Sequence, residues 1–307
     1  MKKRNFRRIV FSILLTVVVL LTAALFVQPG GAEAAWKSIF RFCGLGSFSD
    51  CADGAPFSLH VLSVGKADSI LVECGSSHML VDGGTADRGE DVADYLKNRG
   101  IQKLDCVVNT HPDDDHIGGL YTVLNRFSAA QYICPDIPAK LIPNSLEYRN
   151  VQAILKERNV NTKHPKANSA FSLGKASVSV LGPVIPGKTT NNNSIVLKIT
   201  YGTKRFLLMG DAEKEEEESL LNSGADLEAD MLKVGHHGSS TSSSAAFLRA
   251  VQPKFAAVSV GRDSNNLPRL DVLNRFSNMG ISVFRTDISG TTIFLSDGKT
   301  IQIKTEK

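Results

Sequence analysis

The segment Thr110-His111-Pro112-Asp113-Asp114-Asp115-His116-Ile117-Gly118-Gly119 decides how the chain is read. It sets two histidines and three carboxylates within residues 111–116. Directly before it runs Leu104-Asp105-Cys106-Val107-Val108-Asn109, an apolar stretch of strand type. A loop leaving a strand end can aim alternate side chains into one cleft. The two glycines that follow are expected to let the backbone turn tightly into a helix. Imidazole and carboxylate groups at this density suit Zn²⁺ or Mn²⁺. The plain alternative is a solvated acidic turn with a helix-capping aspartate; such turns are common, but histidines flanking them are less so.

Three further segments share this form, with a polar group where an apolar run ends. Residues 230–234 lead into Gly235-His236-His237-Gly238-Ser239, in which one histidine can bind metal and the other can stabilise a leaving group. Leu207-Leu208-Met209 runs into Gly210-Asp211, and Val81 runs into Asp82-Gly83-Gly84. Gly–Asp turns are frequent, so each of these two is weak alone. Several such ends on one edge of a sandwich build one site.

The surrounding pattern supplies that sandwich. Strands are expected from 57 to 64, at 69–74, from 78 to 82 and at 104–109, with a helix at 90–99. A second series has strands at 176–181, 194–200, 205–209, 230–234, near 254–260, 281–285, 291–295 and 300–304. Helices are expected at 213–221 and 269–279; the first is rich in glutamate at its start, which suits the positive end of a helix dipole. Strand clusters and helices in two successive halves imply an α/β protein, an αββα sandwich of two face-to-face sheets with helices outside.

The chain start reads differently. Lys2, Lys3, Arg4, Arg7 and Arg8 precede an apolar run over residues 9–27, then Pro29-Gly30-Gly31 and a small-residue site at Ala32-Glu33-Ala34. Residues 1–35 are therefore expected to be a secretory signal peptide, or a membrane anchor if uncleaved, since about 20 apolar residues span a bilayer. Residues 36–56 form a lead-in and 57–307 the folded domain. The 307 residues hold 35 basic and 31 acidic side chains, but residues 1–34 carry five basic ones and only Glu33. The remainder is neutral, with 30 of each, so composition gives no global field for polyanions. Cys43 and Cys51 flank a Gly/Ser-rich turn and are the expected disulfide; Cys74, Cys106 and Cys134 lie in or beside apolar runs, as buried thiols do. There is no CxxC pair to suggest a thiolate zinc site.

The ordered series Val64-Gly65-Lys66-Ala67-Asp68, Val81-Asp82-Gly83-Gly84, residues 111–119, Asn191-Asn192-Asn193-Ser194, Met209-Gly210-Asp211, residues 229–239 and Arg285-Thr286-Asp287-Ile288-Ser289-Gly290 resembles the metallo-β-lactamase superfamily. Within it, the series resembles the hydrolase domain of ComEC-type competence proteins, over nearly all of residues 57–307. The resemblance implies two divalent metal ions, with His111 and Asp113 on one, Asp115 and His116 on the other, and Asp211 bridging. It implies a further ligand from the His-His-Gly segment, taken here as His237, with His236 left for substrate; Asp82 orients a ligand histidine from behind.

Three departures qualify it. Asp113 stands where the superfamily usually has histidine, which implies a harder site and Mn²⁺ as an alternative to Zn²⁺. Residues 191–194 stand where other branches carry a ligand histidine, and Leu267 replaces a usual histidine in Asn266-Leu267-Pro268. No polytopic membrane region is read, so the expectation is the hydrolase domain alone, exported. The expected activity is metal-dependent phosphodiester hydrolysis with Asp115 and His236 catalytic, and extracellular DNA as first substrate. Alternatives are a cell-wall or phospholipid phosphodiester of phosphorylcholine type, against which the single Trp36 argues mildly, a catalytically decayed metal-binding protein, and, more weakly, β-lactam hydrolysis. No stable protein partner is implied, and a membrane only if the leader is kept.

Overall fold

Alternating side chains and short turns produce two sheets in the computed structural model, which describes residues 55–261 and 266–307. The strands are β1 (Phe57–Val61), β2 (Ile70–Cys74), β3 (Ser77–Val81), β4 (Lys103–Leu104), β5 (Cys106–Val108), β6 (Ser128–Ala129), β7 (Gln131–Ile133), β8 (Asn161–Lys163), β9 (Ala170–Leu173), β10 (Ala176–Gly182), β11 (Val196–Tyr201), β12 (Lys204–Leu208), β13 (Met231–Lys233), β14 (Phe255–Val258), β15 (Ser282–Arg285), β16 (Thr292–Ser296) and β17 (Ile301–Thr305). The helices are α1 (Gly89–Asn98), α2 (Asp114–Ile117), α3 (Leu120–Arg126), α4 (Leu146–Glu157), α5 (Lys214–Asn222), α6 (Ala245–Val251), α7 (Leu270–Asn278) and α8 (Thr286–Ser289).

One sheet has the order β17-β16-β1-β2-β3-β5-β7-β8 and the other β15-β14-β13-β12-β11-β10-β9. Each is antiparallel on one side and parallel on the other, the parallel parts being β3-β5-β7-β8 and β12-β13-β14-β15. Parallel strands need helical crossovers, and these supply the outer layers. Phe57, Leu59, Ile70, Val72, Met79 and Val81 of the first sheet pack against Val178, Val180, Leu197, Ile199, Phe206 and Leu208 of the second. The opposite face of the first sheet, through Leu71, Leu80 and Val107, receives Val92 and Leu96 of α1, Val123 of α3 and Ile154 of α4. The opposite face of the second, through Leu207 and Leu232, receives Leu220 of α5, Phe247 of α6 and Phe276 of α7. This is the αββα sandwich.

Between residues 120 and 175 the structure adds elements beyond those expected from the sequence: α3, α4 and β6 to β9. The strand expected to reach residue 260 stops at Val258, and Val260 N–H instead donates to Thr286 Oγ1 at 2.8 Å. Gly118 and Gly119 also act differently from expectation. Their φ values of −53° and −76° are helical, so no special turn is required. They are small because the backbone of the β3–α1 connection lies against them: a Cβ on Gly119 would run into the Gly83 carbonyl oxygen. Cys74 and Cys106 are buried free thiols, whereas Cys134 is half-buried and free. Cys43, Cys51, Trp36 and the whole leader lie outside the described residues. Among the described residues no helix is long and apolar enough to cross a membrane.

The acidic start of α5 does more than face a helix dipole. Glu217 accepts from Ser244 N–H at 2.8 Å and from Ser243 N–H, holding the entry to α6. Glu216 is 1% exposed and accepts from Val184 N–H at 2.8 Å. Burial pushes its carboxyl up to about 7, and the Val184 donor does not offset that. A carboxyl whose folded pKa is raised destabilises the fold as it ionises: the penalty is absent below the ordinary value of 4.5 and full above about 7. Glu216→Gln keeps the acceptor and removes the charge. It is expected to gain about 1–3 kcal/mol in urea unfolding at pH 8 and almost nothing at pH 4; equal gains at both pH values would contradict the buried-charge account.

Candidate metal centre

Strand ends on one edge of the sandwich deliver the polar residues. β3 ends at Asp82, β5 runs on to His111, β12 leads to Asp211 and β13 leads to His237. Asp82 is fully buried, with a left-handed φ of 59°. Its carboxylate accepts from Thr110 N–H (2.7 Å), Thr110 Oγ1 (2.6 Å), Asn109 Nδ2 (3.1 Å) and His116 Nδ1 (2.8 Å). A carboxylate here only accepts, so His116 donates from Nδ1 and turns Nε2 inward as the nitrogen left to take a cation. The Thr110 hydroxyl, committed to Asp82, accepts from His111 Nδ1 at 3.1 Å, which sets the same tautomer at His111. His237 Nδ1 donates to the Ser259 carbonyl at 2.9 Å and follows suit. Metal-ligating histidines are oriented in this way, with the far nitrogen donating to a carboxylate or carbonyl.

The three inward Nε2 atoms, of His111, His116 and His237, are buried without a hydrogen-bond partner, as is Asp211 Oδ1. Four such orphans in one place would be costly unless something else satisfies them. Asp211 stands between them: Oδ1 lies 3.3 Å from His116 Nε2 and Oδ2 lies 3.6 Å from His237 Nε2. Asp115 Oδ2 is 3.6 Å from His237 Nε2, and Asp113 Oδ2 is 3.7 Å from His111 Nε2. Donors bound at about 2.0–2.1 Å to one tetrahedral cation stand about 3.3–3.4 Å apart, so these spacings fit divalent cations. Among the described residues three donor groups overlap at His116, namely His111, His116 and Asp211; Asp115, His116 and His237; and, behind them, Asp68, Asp82 and His116, each with its atoms within 4.8 Å of one another. All six residues expected as ligands from the sequence thus surround this spot, and Asp82 stands behind His116.

Charges answer to the same arrangement. Burial alone would lift Asp211 and Asp115, yet the facing histidines hold both well below the usual carboxylate range. Burial alone would depress His116, yet Asp211 and Asp82 carry it well above the ordinary histidine value, so a cation binding there displaces a proton. Burial and the neighbouring His116 lower His111.

His236 differs from its neighbour. Its side chain is 24% exposed, Nδ1 lies 3.1 Å from Glu213 Oε1, and Nε2 stands 3.9 Å from Asp211 Oδ2 at the rim of the centre. Glu213 is itself held through its backbone N–H, which donates to Asn192 Oδ1 at 3.0 Å. Ser194 fills the space beside His111, its Oγ 3.3 Å from Nδ1, and accepts from Asp211 N–H at 3.1 Å. The sequence reading assigned no role to Glu213, Ser194, Lys66, Asp68 or Lys233. Lys233 Nζ, fully buried, donates to Asp68 Oδ2 at 2.7 Å. A lysine at the end of an apolar strand was the available signal for that pair. Lys66 Nζ donates to Asp115 Oδ2 at 2.7 Å. Leu267 leads into Pro268, which packs against Gly238.

The model of the Metallo-beta-lactamase superfamily matches residues 62–262. ComE operon protein 3 of Bacillus subtilis is 32% identical over 253 residues, covering 75% of this chain and 32% of that protein. Competence protein ComA of Neisseria gonorrhoeae is 29% identical over 285 residues, covering 91% of this chain and 38% of that protein. The chain therefore spans about a third of the length of these curated relatives. Among solved structures, a metallo hydrolase of Ignicoccus hospitalis superposes with a TM-score of 0.51 at 14% identity, covering 78% of this chain and all of that one. A diiron β-hydroxylase of Streptomyces venezuelae gives 0.52 at 14% identity, covering 79% of this chain and 54% of that one. These two speak for the fold.

Asp82→Asn would offer His116 Nδ1 an amide donor in place of a carboxylate and favour the wrong tautomer. Metal affinity, read by competition with a chromophoric chelator, is expected to fall about 10–100-fold; unchanged affinity would mean that Asp82 does not orient His116.

Proposed function

This chain belongs to the metallo-β-lactamase superfamily, and on that premise we propose that it is an exported, two-metal phosphodiesterase with extracellular DNA as its first substrate. The observation that carries the metal reading is the set of orphaned inward atoms around Asp211. Asp211 shares one donor group with His111 and His116, and its Oδ2 lies 3.6 Å from His237 of a second group, which supports a carboxylate that could serve both cations. His111 and Asp113 would hold one cation, Asp115, His116 and His237 the other. Zn²⁺ or Mn²⁺ fits these nitrogen and oxygen donors. Divalent cations held there supply Lewis acidity, readying water for attack near neutral pH and offsetting charge on a phosphoryl group.

The chain's own residues supply the rest. Asp115 and Asp211 stay ionised, and Asp82 keeps the His116 lone pair inward. His236 Nε2 faces the rim, where it can donate to a phosphoryl oxygen or to the departing alkoxide once its ring is protonated. Glu213 fixes that ring. Asp113 supports phosphodiesters over lactams, because a carboxylate makes the site harder than imidazole would. The name of the Neisseria gonorrhoeae relative speaks of competence and that of a protein of Haemophilus influenzae at 27% identity of recombination, which favours DNA. Export rests on the basic, apolar order of the leader.

Purified protein loaded with Mn²⁺ or Zn²⁺ is expected to cleave bis-p-nitrophenyl phosphate and DNA, to lose activity to a chelator and to regain it on metal return. His116→Ala should lower kcat/KM by at least about 100-fold. Neither substrate cut, or equal cutting by His116→Ala, would defeat the reading. A panel including phosphorylcholine esters separates DNA from cell-wall or lipid diesters.

A further inference from the structure

Lys66 sits on the connection between β1 and β2, which crosses the mouth of the metal centre. That connection is fastened to the metal loop by its backbone: Asp68 N–H donates to the Asp115 carbonyl at 3.1 Å. The Lys66 ammonium lies 2.7 Å from Asp115 Oδ2, with its side chain 35% exposed. The same Asp115 oxygen is 3.6 Å from His237 Nε2. One carboxylate oxygen thus faces both a lysine and the nitrogen of a metal-binding histidine.

The formal charges around the loaded centre do not cancel. Asp68 and Lys233 neutralise one another. Asp82, Asp113, Asp115 and Asp211 remain, four negative charges that two divalent cations would balance, leaving the Lys66 ammonium in surplus. Asp115 Oδ2 shared with a cation would be a weaker acceptor, freeing the Lys66 ammonium to turn toward substrate. It then stands at the mouth as a further positive charge with a solvent-facing reach. A centre with this surplus favours an anionic substrate, and a lysine is a compact point charge suited to phosphate.

We propose that Lys66 is the phosphate-recognising residue of this centre: held beside the metal-binding residues by Asp115, its ammonium reaches a non-bridging phosphoryl oxygen of the substrate. This rests on the phosphodiesterase reading and names the group that selects for it. Lys66 acts on substrate binding and competes with metal for Asp115, so its removal does not weaken metal binding. A lysine serving only to hold the loop would do the reverse.

The full chain is loaded with Mn²⁺ and compared with Lys66→Gln and Lys66→Arg, with Lys66→Met as a second neutral variant should glutamine disturb the fold. Three quantities are read: bound Mn²⁺ by equilibrium dialysis, inorganic phosphate affinity by titration calorimetry, and the KM and kcat for bis-p-nitrophenyl phosphate. The neutral variants are expected to bind Mn²⁺ at least as tightly as wild type, to bind phosphate about tenfold more weakly, and to raise KM about tenfold with kcat within about threefold. Lys66→Arg should recover most of the phosphate affinity. Unchanged phosphate affinity and KM in the neutral variants, or weakened Mn²⁺ binding, overturns the proposal while wild-type turnover leaves the phosphodiesterase reading standing. A wild type that binds Mn²⁺ but neither binds phosphate nor cleaves the diester overturns both.

Discussion

The two sheets are tied together at their functional edge by one fully buried ion pair, Lys233 with Asp68. Lys233 shares the inward face of β13 with Met231, and Asp68 comes from the connection between β1 and β2 of the other sheet. Taking two charges out of water is expensive, and their attraction offsets it only when geometry and further hydrogen bonds are good. Here Lys233 Nζ also donates to the Val234 carbonyl at 3.0 Å, and Asp68 is held through its backbone by Asp115 and Gly84. The pair gains its meaning from position. One sheet brings His111, Asp113, Asp115 and His116, and the other brings Asp211 and His237. A slip of one sheet over the other would separate these sets, and it would also leave two charges buried and unpaired.

Legibility in the sequence depends on how local each feature is. Residues 111–116 announce themselves because ligand types crowd together after an apolar strand. Asp82, Asp211 and His237 are legible because each closes such a strand. The two-layer arrangement follows from alternation, as in Phe57, Leu59 and Val61 facing the other sheet while Ser58 and His60 turn to the opposite face, where they too are buried. Elements without apolar alternation are not legible: Asn161–Lys163 is exposed throughout, and only its pairing with β7 makes it a strand. The helix α4 does carry a readable stripe, with Val151, Ile154 and Leu155 buried and Ser145 capping its start at Tyr148 N–H. Asp68, Glu213 and Ser194 have partners far away in sequence, and no spacing rule reveals a contact across the sandwich.

The acidic helix α5 shows how one local feature can carry several distant ones. Glutamates near a helix start are favoured by its dipole. In this fold the same side chains have further partners. Glu217 holds the entry to α6, Glu216 holds the backbone at Val184, and Glu213 holds His236. The composition of the segment reflects these contacts as much as its helicity, and Glu216 remains a strained compromise at neutral pH.

The imidazole tautomers lead to a conclusion about engineering. Each candidate ligand histidine takes its proton position from a different part of the molecule: His116 from Asp82 at the end of β3, His111 from a hydroxyl next to it that is itself pledged to Asp82, and His237 from a carbonyl beyond β14. The loop that bears the most candidate ligands therefore contains only part of the information that would orient them toward a cation. Transplanted onto another scaffold, residues 110–119 would carry the right side chains but not their protonation pattern. The unit of design in this fold is the shared rim of both sheets, not the motif.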